Sequence, residues 1–170
     1  MRRMLCIILA LASIIMITGC GGGDDDGGGG DKQGLVLNGY WYYHWDLSPT
    51  RNLKTMRLEN NDGGEVFNDS DVTTGDLILA LVFSTERYDG GDDINGYMLW
   101  RMDYNPIAPG ASISYVDSTQ DMDMPTVGDY YVYLILAEYS IQDGTYHIRD
   151  NILFDNMVRV TGPWDMETIN

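Results

Sequence analysis

Apolar residues fall in short runs along most of this chain, and polar turn-forming residues separate the runs. Seven runs are rich in valine, isoleucine, leucine, tyrosine and tryptophan, with glycine, aspartate, asparagine and proline between them. They cover residues 35–45, 53–58, 77–84, 97–103, 112–117, 130–139 and 152–160. No sustained helical period lies between them. About seven strands with frequent turns predict an all-β fold, a two-sheet antiparallel sandwich.

Two of these runs indicate where their strands lie. In residues 130–139, Val132 and Leu134 share one face of a strand, while Tyr131 and Tyr133 share the other. The run 77–83 is apolar on both faces, which is typical of a strand at the centre of a sheet. We therefore expect residues 77–83 to be paired on both sides.

Two family resemblances refine the fold. The last sixty or so residues, with Gly128-Asp129-Tyr130 opening a long strand and Asp150 before the final one, resemble the closing half of bacterial immunoglobulin-like modules. This resemblance implies an immunoglobulin-like sandwich. Gly39-Tyr40-Trp41 is similar to the Gly-x-Trp of the first lipocalin strand, so a small up-and-down barrel is the alternative.

The first twenty residues have the order of a bacterial export signal. Met1-Arg2-Arg3-Met4 is basic, and residues 5–17 are apolar apart from Ser13. This run is shorter than the roughly 20 apolar residues of a membrane-spanning helix. The next residues, Ile17-Thr18-Gly19-Cys20, resemble the lipobox of bacterial lipoproteins. The resemblance implies a signal peptide at residues 1–19, a diacylglycerol and palmitate anchor on Cys20, and a location in the cell envelope, at the outer membrane (its periplasmic face or the cell surface).

The next segment and the overall charge agree with an envelope protein. Residues 20–34 are mostly glycine and aspartate, which form flexible, solvated chain and predict a spacer before a domain at residues 35–170. Without the signal peptide, 8 basic and 26 acidic residues give a net charge of −18. A field of this sign repels phosphates, so we expect no nucleic-acid binding. Cys6 belongs to the signal and Cys20 to the anchor, so we expect no disulfide.

The sequence contains no established catalytic motif. Its two histidines, His44 and His147, lie on different predicted strands and lack zinc-type spacing. It has no nucleophile elbow, phosphate-binding loop or His-Glu-x-x-His. Glu86 and Glu138 are a candidate carboxylate pair of the glycosidase type, but solvated glutamates at strand ends are the commoner explanation in so acidic a chain. We expect a protein that is not an enzyme.

The acidic loops are candidate calcium sites. Calcium binds six to eight oxygen ligands, which closely spaced aspartates and asparagines on glycine-bent loops can supply. The best candidates are Asp89, Asp92, Asp93 and Asn95. They lack the alternating spacing and terminal glutamate of an EF-hand, and the same residues dominate ordinary turns. Calcium is therefore a candidate cofactor, with turn chemistry as the alternative.

A run of aromatic residues, 40–45, is the candidate ligand-binding surface. On a strand, Trp41, Tyr43 and Trp45 share one face, and Tyr40, Tyr42 and His44 share the other. One face can pack in the core, and the other then presents rings with polar tips, which bind sugars or protein partners. We assign the outward, ligand-binding face to Tyr40, Tyr42 and His44. Tyr131 and Tyr133 are candidates to extend this surface. The alternative is cross-strand packing that only stabilises the sheet.

These observations favour a membrane-anchored envelope lipoprotein that presents a non-enzymatic sandwich. Its expected partners are the membrane, through the lipid, and another envelope or extracellular protein, or it has a structural role. The alternative is a lipoprotein that binds a carbohydrate or small ligand, with calcium if the acidic loops hold it.

Overall fold

The computed structural model describes residues 34–88, 90 and 94–169, and β-strands make up all the regular secondary structure of this part. Its ten strands are β1 (Leu35–Ser48), β2 (Leu53–Asn68), β3 (Leu77–Ser84), β4 (Tyr97–Tyr104), β5 (Ser112–Ile113), β6 (Asp117–Asp121), β7 (Gly128–Ser140), β8 (Thr145–Leu153), β9 (Met157–Gly162) and β10 (Asp165–Ile169). They form two antiparallel sheets with a shared core, which confirms the predicted all-β sandwich. No helix among the described residues is long and apolar enough to cross a membrane.

The first sheet is built on a long hairpin. β1 pairs with β2 from Leu35 opposite Asn68 to Ser48 opposite Leu53. β5 and β6 both pair with the other side of β2. β1 is therefore an edge strand, with one side left unpaired by the strands that the structure describes.

The second sheet has the strand order β10-β9-β7-β3-β4, and β8 also pairs with β7. β3 lies between β4 and β7, and every one of its residues is buried. This confirms the predicted central position of residues 77–83. β7 is the other central strand, since β3 covers one side of it while β8 and β9 share the other.

Apolar side chains fill two layers. The inter-sheet core takes Met56 and Leu58 from β2 and Val132 and Leu134 from β7, together with the inward residues of the other strands. A second layer, the outer-face cluster, lies on the far side of the second sheet and is made of Ile78, Ala80, Val82, Tyr133, Ile135 and Ala137. The two faces of β7 divide as the alternation predicted. The centre of the second sheet, β3 and most of β7, is therefore buried on both faces, whereas β1 and β2 keep an exposed outer face.

The structure corrects the number and limits of the strands. It has ten strands rather than about seven, because two predicted runs are each divided and β10 was not predicted. The run 152–160 breaks at Asp155 and Asn156, between β8 and β9, and the run 112–117 belongs to β5 and β6. β2 continues through a polar segment to Asn68 because β1 and β5 pair with it there. The immunoglobulin-like assignment stays a prediction.

Candidate functional site

The inner face of β1 carries three aromatic side chains. Trp41 is buried, and Tyr43 and Trp45 are partly buried against the inter-sheet core. The ring of Tyr43 packs edge-on against that of Phe154, with 4.7 Å between their centroids. Burial raises the pKa of Tyr43 to about 12, so its hydroxyl stays protonated at neutral pH. These rings give β1 an apolar inner wall that reaches across to the second sheet.

The outer face of β1 carries Tyr40, Tyr42 and His44, which we call the outer strip. Tyr40 and Tyr42 are 64% and 40% exposed. Nε2 of His44 lies 3.1 Å from a carboxylate oxygen of Glu59, the residue opposite Tyr42 on β2. Glu59 also forms an ion pair with Arg57 at 2.7 Å. The strip thus presents aromatic rings to solvent, with a fixed imidazole beside them.

A groove of about 370 Å³, the edge groove, follows the free side of β1. It is lined by Trp41, Tyr42, Tyr43, His44, Trp45, Phe154, Asn156 and Thr168. Five consecutive β1 residues line it although their side chains alternate between two faces, so the groove runs along the strand edge. Its volume lies in the range of ligand pockets, about 300–1,000 Å³.

The backbone of β1 also faces this groove. On β2, the N–H of Asn60 donates to the carbonyl of Val116 at 3.0 Å, on the side away from β1. Asn60 lies opposite Trp41, and backbone groups of such a non-hydrogen-bonded antiparallel pair point away from each other. The N–H and C=O groups of Trp41, Tyr43 and Trp45 therefore point to the groove. None of them has a hydrogen-bond partner within the described residues.

The structure does not bring Tyr131 and Tyr133 to the outer strip. Tyr133 belongs to the outer-face cluster of the second sheet, on the opposite side of the sandwich, and Tyr131 packs against that cluster. Tyr133 is buried, and its hydroxyl accepts a hydrogen bond from the N–H of Tyr88 at 2.8 Å. The expected extension of the strip is corrected, because β7 and β1 lie in different sheets and their outer faces point in opposite directions.

Glu86 and Glu138 are not a catalytic pair. Glu138 lies opposite Leu77, at the start of β3, whereas Glu86 follows the end of that strand. Eight residues of strand span about 25 Å, far more than the roughly 5–10 Å of glycosidase carboxylates. The oxygens of Glu138 accept from the N–H of Gly75 at 2.7 Å and from Arg149 at 2.8 Å. Glu138 therefore ties the segment before β3 to β8.

Most of the other predicted site residues lie outside the described residues. This is true of Cys20 and of Asp89, Asp92 and Asp93, whereas Asn95 is described and exposed. In the part of the chain with described positions, no group of three or more histidine, cysteine, aspartate or glutamate residues is placed to hold a metal ion. Lipidation of Cys20 and calcium at the acidic loop stay predictions.

Sequence reasoning missed the far wall of the edge groove. Phe154 and Asn156 lie in the break between β8 and β9, and Thr168 lies on β10. The adjacent Asp155-Asn156 pair is ordinary turn chemistry and was the signal for this break. β10 is a short polar strand, and no apolar run marks Thr168.

Comparison with protein-family models, with curated proteins and with solved structures finds no match to this chain.

Proposed function

We propose that this protein is a lipid-anchored lipoprotein of the bacterial cell envelope, and that its sandwich binds another envelope or extracellular protein without catalysing a reaction. The lipobox-like Ile17-Thr18-Gly19-Cys20 supports the anchor. The glycine- and aspartate-rich residues 20–34 support a spacer between the anchor and the domain. The several acyl chains of a bacterial lipoprotein hold a domain at a membrane far more firmly than one chain does.

The observation that carries the binding role is the aromatic surface of β1. The outer strip and the edge groove meet along this strand, and Tyr42 and His44 belong to both. Tyrosine and tryptophan are enriched at the centres of protein interfaces because they offer rigid apolar area with a hydrogen-bonding end. A protein partner that covers β1 would contact both surfaces at once.

Photo-crosslinking in the native envelope tests this role. A photoreactive amino acid replaces Tyr42 in one full-length variant and Ile141 in a matched control. Ile141 is 89% exposed and follows β7, in the other sheet. We expect irradiation to give a discrete adduct with a second protein from position 42 and not from position 141. The same adducts from both positions, or none from position 42, would contradict the proposed role.

The anchor has a separate test. A clickable palmitate analogue supplied to the cells should label the wild-type protein and Cys6→Ser, because Cys6 precedes the expected cleavage site. Cys20→Ser should stay unlabelled, because it lacks the sulfur that the lipid is attached to. An unlabelled wild-type protein would show that the lipoprotein assignment is wrong.

The groove also favours a second candidate function, the binding of a carbohydrate or small ligand. Asn156, Thr168 and His44 place hydrogen-bonding groups beside aromatic rings, a combination that suits sugars. This candidate predicts no protein adduct at position 42, and retention of the wild-type protein on a glycan array that Tyr42→Ala abolishes.

A further inference from the structure

Side chains cap two other places at strand edges, on β4 and at the start of β1, whereas the middle of β1 has no such cap within the described residues. On β4, the N–H of Arg101 donates to Oε1 of Gln120 at 3.2 Å, and its carbonyl accepts from Nε2 of Gln120 at 2.6 Å. A side-chain amide from the first sheet thus caps this edge. At the start of β1, the N–H of Leu37 donates to the carboxylate of Asp150 at 2.7 Å. For Trp41, Tyr43 and Trp45 the described residues supply no such cap.

The sequence of β1 lacks the usual protection of an edge strand as well. Edge strands are commonly guarded against further pairing by lysine, proline, a bulge or very short length. Residues 40–45 contain only tyrosine, tryptophan and histidine. The β-bulge lies before Tyr40, and the first charged residue after the run is Asp46. The stretch is therefore a long, unguarded template for another strand.

We propose that an extended segment of the partner protein adds to β1 as a further strand of the first sheet, and that this segment alternates apolar with basic residues. The inference rests on the proposed protein-binding function and names its partner class. Trp41, Tyr43 and Trp45 offer three donors and three acceptors to the new strand, whose alternate side chains enter the edge groove or cross the outer strip. Main-chain pairing of this kind provides affinity, and the pockets for alternate side chains provide specificity.

Charge selects a basic segment over a second copy of this chain. The protein has 26 acidic and 10 basic residues, so two copies repel each other. The exposed residues Asp46, Asp155 and Glu167 each adjoin a residue that lines the groove. Asp46 pairs with Arg51 at 3.4 Å and Glu167 lies 3.9 Å from Arg159, whereas Asp155 has no ion pair within the described residues and adds to the net negative charge of the protein. Lysine or arginine side chains of the added strand would lie in this negative field, which favours encounter and suppresses acidic partners.

Amide hydrogen exchange of the full-length protein in detergent micelles tests the pairing. The probe is a synthetic peptide of about nine residues that alternates valine and lysine. In the free protein we expect slow exchange at Tyr42 and His44, which point to β2, and fast exchange at Trp41, Tyr43 and Trp45. Saturating peptide should slow exchange at those three amides at least tenfold and leave Tyr42 unchanged, because only outward-pointing groups gain a partner.

Two peptides of the same length are the controls. Methylation of the backbone nitrogens that face β1 keeps the side chains but removes the donors, so we expect at least tenfold weaker binding. Exchange of lysine for glutamate should weaken binding at least tenfold at low salt, with a smaller difference at high salt. Equal binding of the methylated peptide would overturn strand addition, and equal binding of the glutamate peptide would overturn the choice of a basic partner.

Other outcomes identify other occupants of the edge. If the amides of Trp41, Tyr43 and Trp45 exchange slowly without peptide, and faster when the protein is diluted, two copies of the chain pair along β1. That result would overturn the inference. Peptide binding without slower exchange at Trp41, Tyr43 and Trp45 would overturn it too. If strand addition is overturned in either way but position 42 still gives a protein adduct, the proposed protein-binding function stands. If position 42 gives no adduct, both the protein-binding function and strand addition are contradicted.

Discussion

At the scale of single residues, glycines decide how the β1–β2 hairpin changes register. Gly39 has a φ of +69°, and a Cβ atom there would lie 2.4 Å from the backbone of Gly63. The buried side chain of Asn60 holds this bulge, since its amide donates to the carbonyl of Gly64 and its oxygen accepts from the N–H of Val116. The bulge immediately precedes the aromatic residues 40–45, so it sets which of them face inward.

We expect Gly39→Ala to lower the free energy of unfolding by at least ~2 kcal/mol, because a left-handed conformation and a backbone clash both oppose the new methyl group. Gly63→Ala is the matched control. Gly63 also has a positive φ, of 81°, but a Cβ atom there would have no described neighbour within 4 Å. This control should lose about 1 kcal/mol. Urea denaturation measures both, and equal losses would show that the close approach of the two strands is unimportant.

At the scale of elements, the strands that are buried on both faces were the ones predicted well. β3 begins and ends where its apolar run does, and the alternation in β7 assigned its two faces correctly. In these strands local composition and tertiary environment agree, because burial requires apolar residues at nearly every position. The limits of β3 and the two faces of β7, at the centre of the second sheet, could therefore be predicted from the sequence alone.

Polar strands at the margins could not be predicted in the same way. β6 has the sequence DSTQD, and the second half of β2 contains NNDGGE, which is typical of a turn. Both are strands because a partner strand pairs with them, β2 in the first case and β1 in the second. Such long-range pairing leaves no periodic signal in a polar segment.

The candidate site could also be predicted only in part, namely the two faces of β1 but not the groove beside it. The alternation in residues 40–45 placed Trp41 inward and Tyr42 outward, as the structure has them. Which sheet each strand joins depends on topology, so the separation of Tyr133 from the strip could not be read from its alternation. The edge groove needed both topology and the break at Phe154, and it emerged only from the structure.

At the scale of the whole molecule, the chain has a large excess of negative charge, and arginines neutralise part of it in ion pairs between neighbouring strands. Arg57 binds Asp117 across β2 and β6 at 2.7 Å, and Arg159 binds Asp129 across β9 and β7 at the same distance. Hydrogen bonds from these guanidinium groups lower the pKa of both aspartates. Both pairs are exposed to solvent, so their contribution depends on salt and on pH.

Because the pKa values of these aspartates are lowered in the folded state, the stability that their ion pairs contribute should decrease in acid. A carboxyl group whose pKa is lower in the folded state stabilises that state fully above its unfolded pKa of about 3.9, and this contribution is lost as the pH falls through the folded value. We therefore expect the melting temperature of Asp129→Asn to lie below that of the wild type at neutral pH, and the two curves to converge as the pH falls below about 4. Asp155→Asn is the control, because Asp155 is exposed and has no ion pair within the described residues, and its curve should keep the wild-type shape. Parallel curves for the wild type and Asp129→Asn over the whole range would mean that the Arg159 pair does not contribute to acid stability.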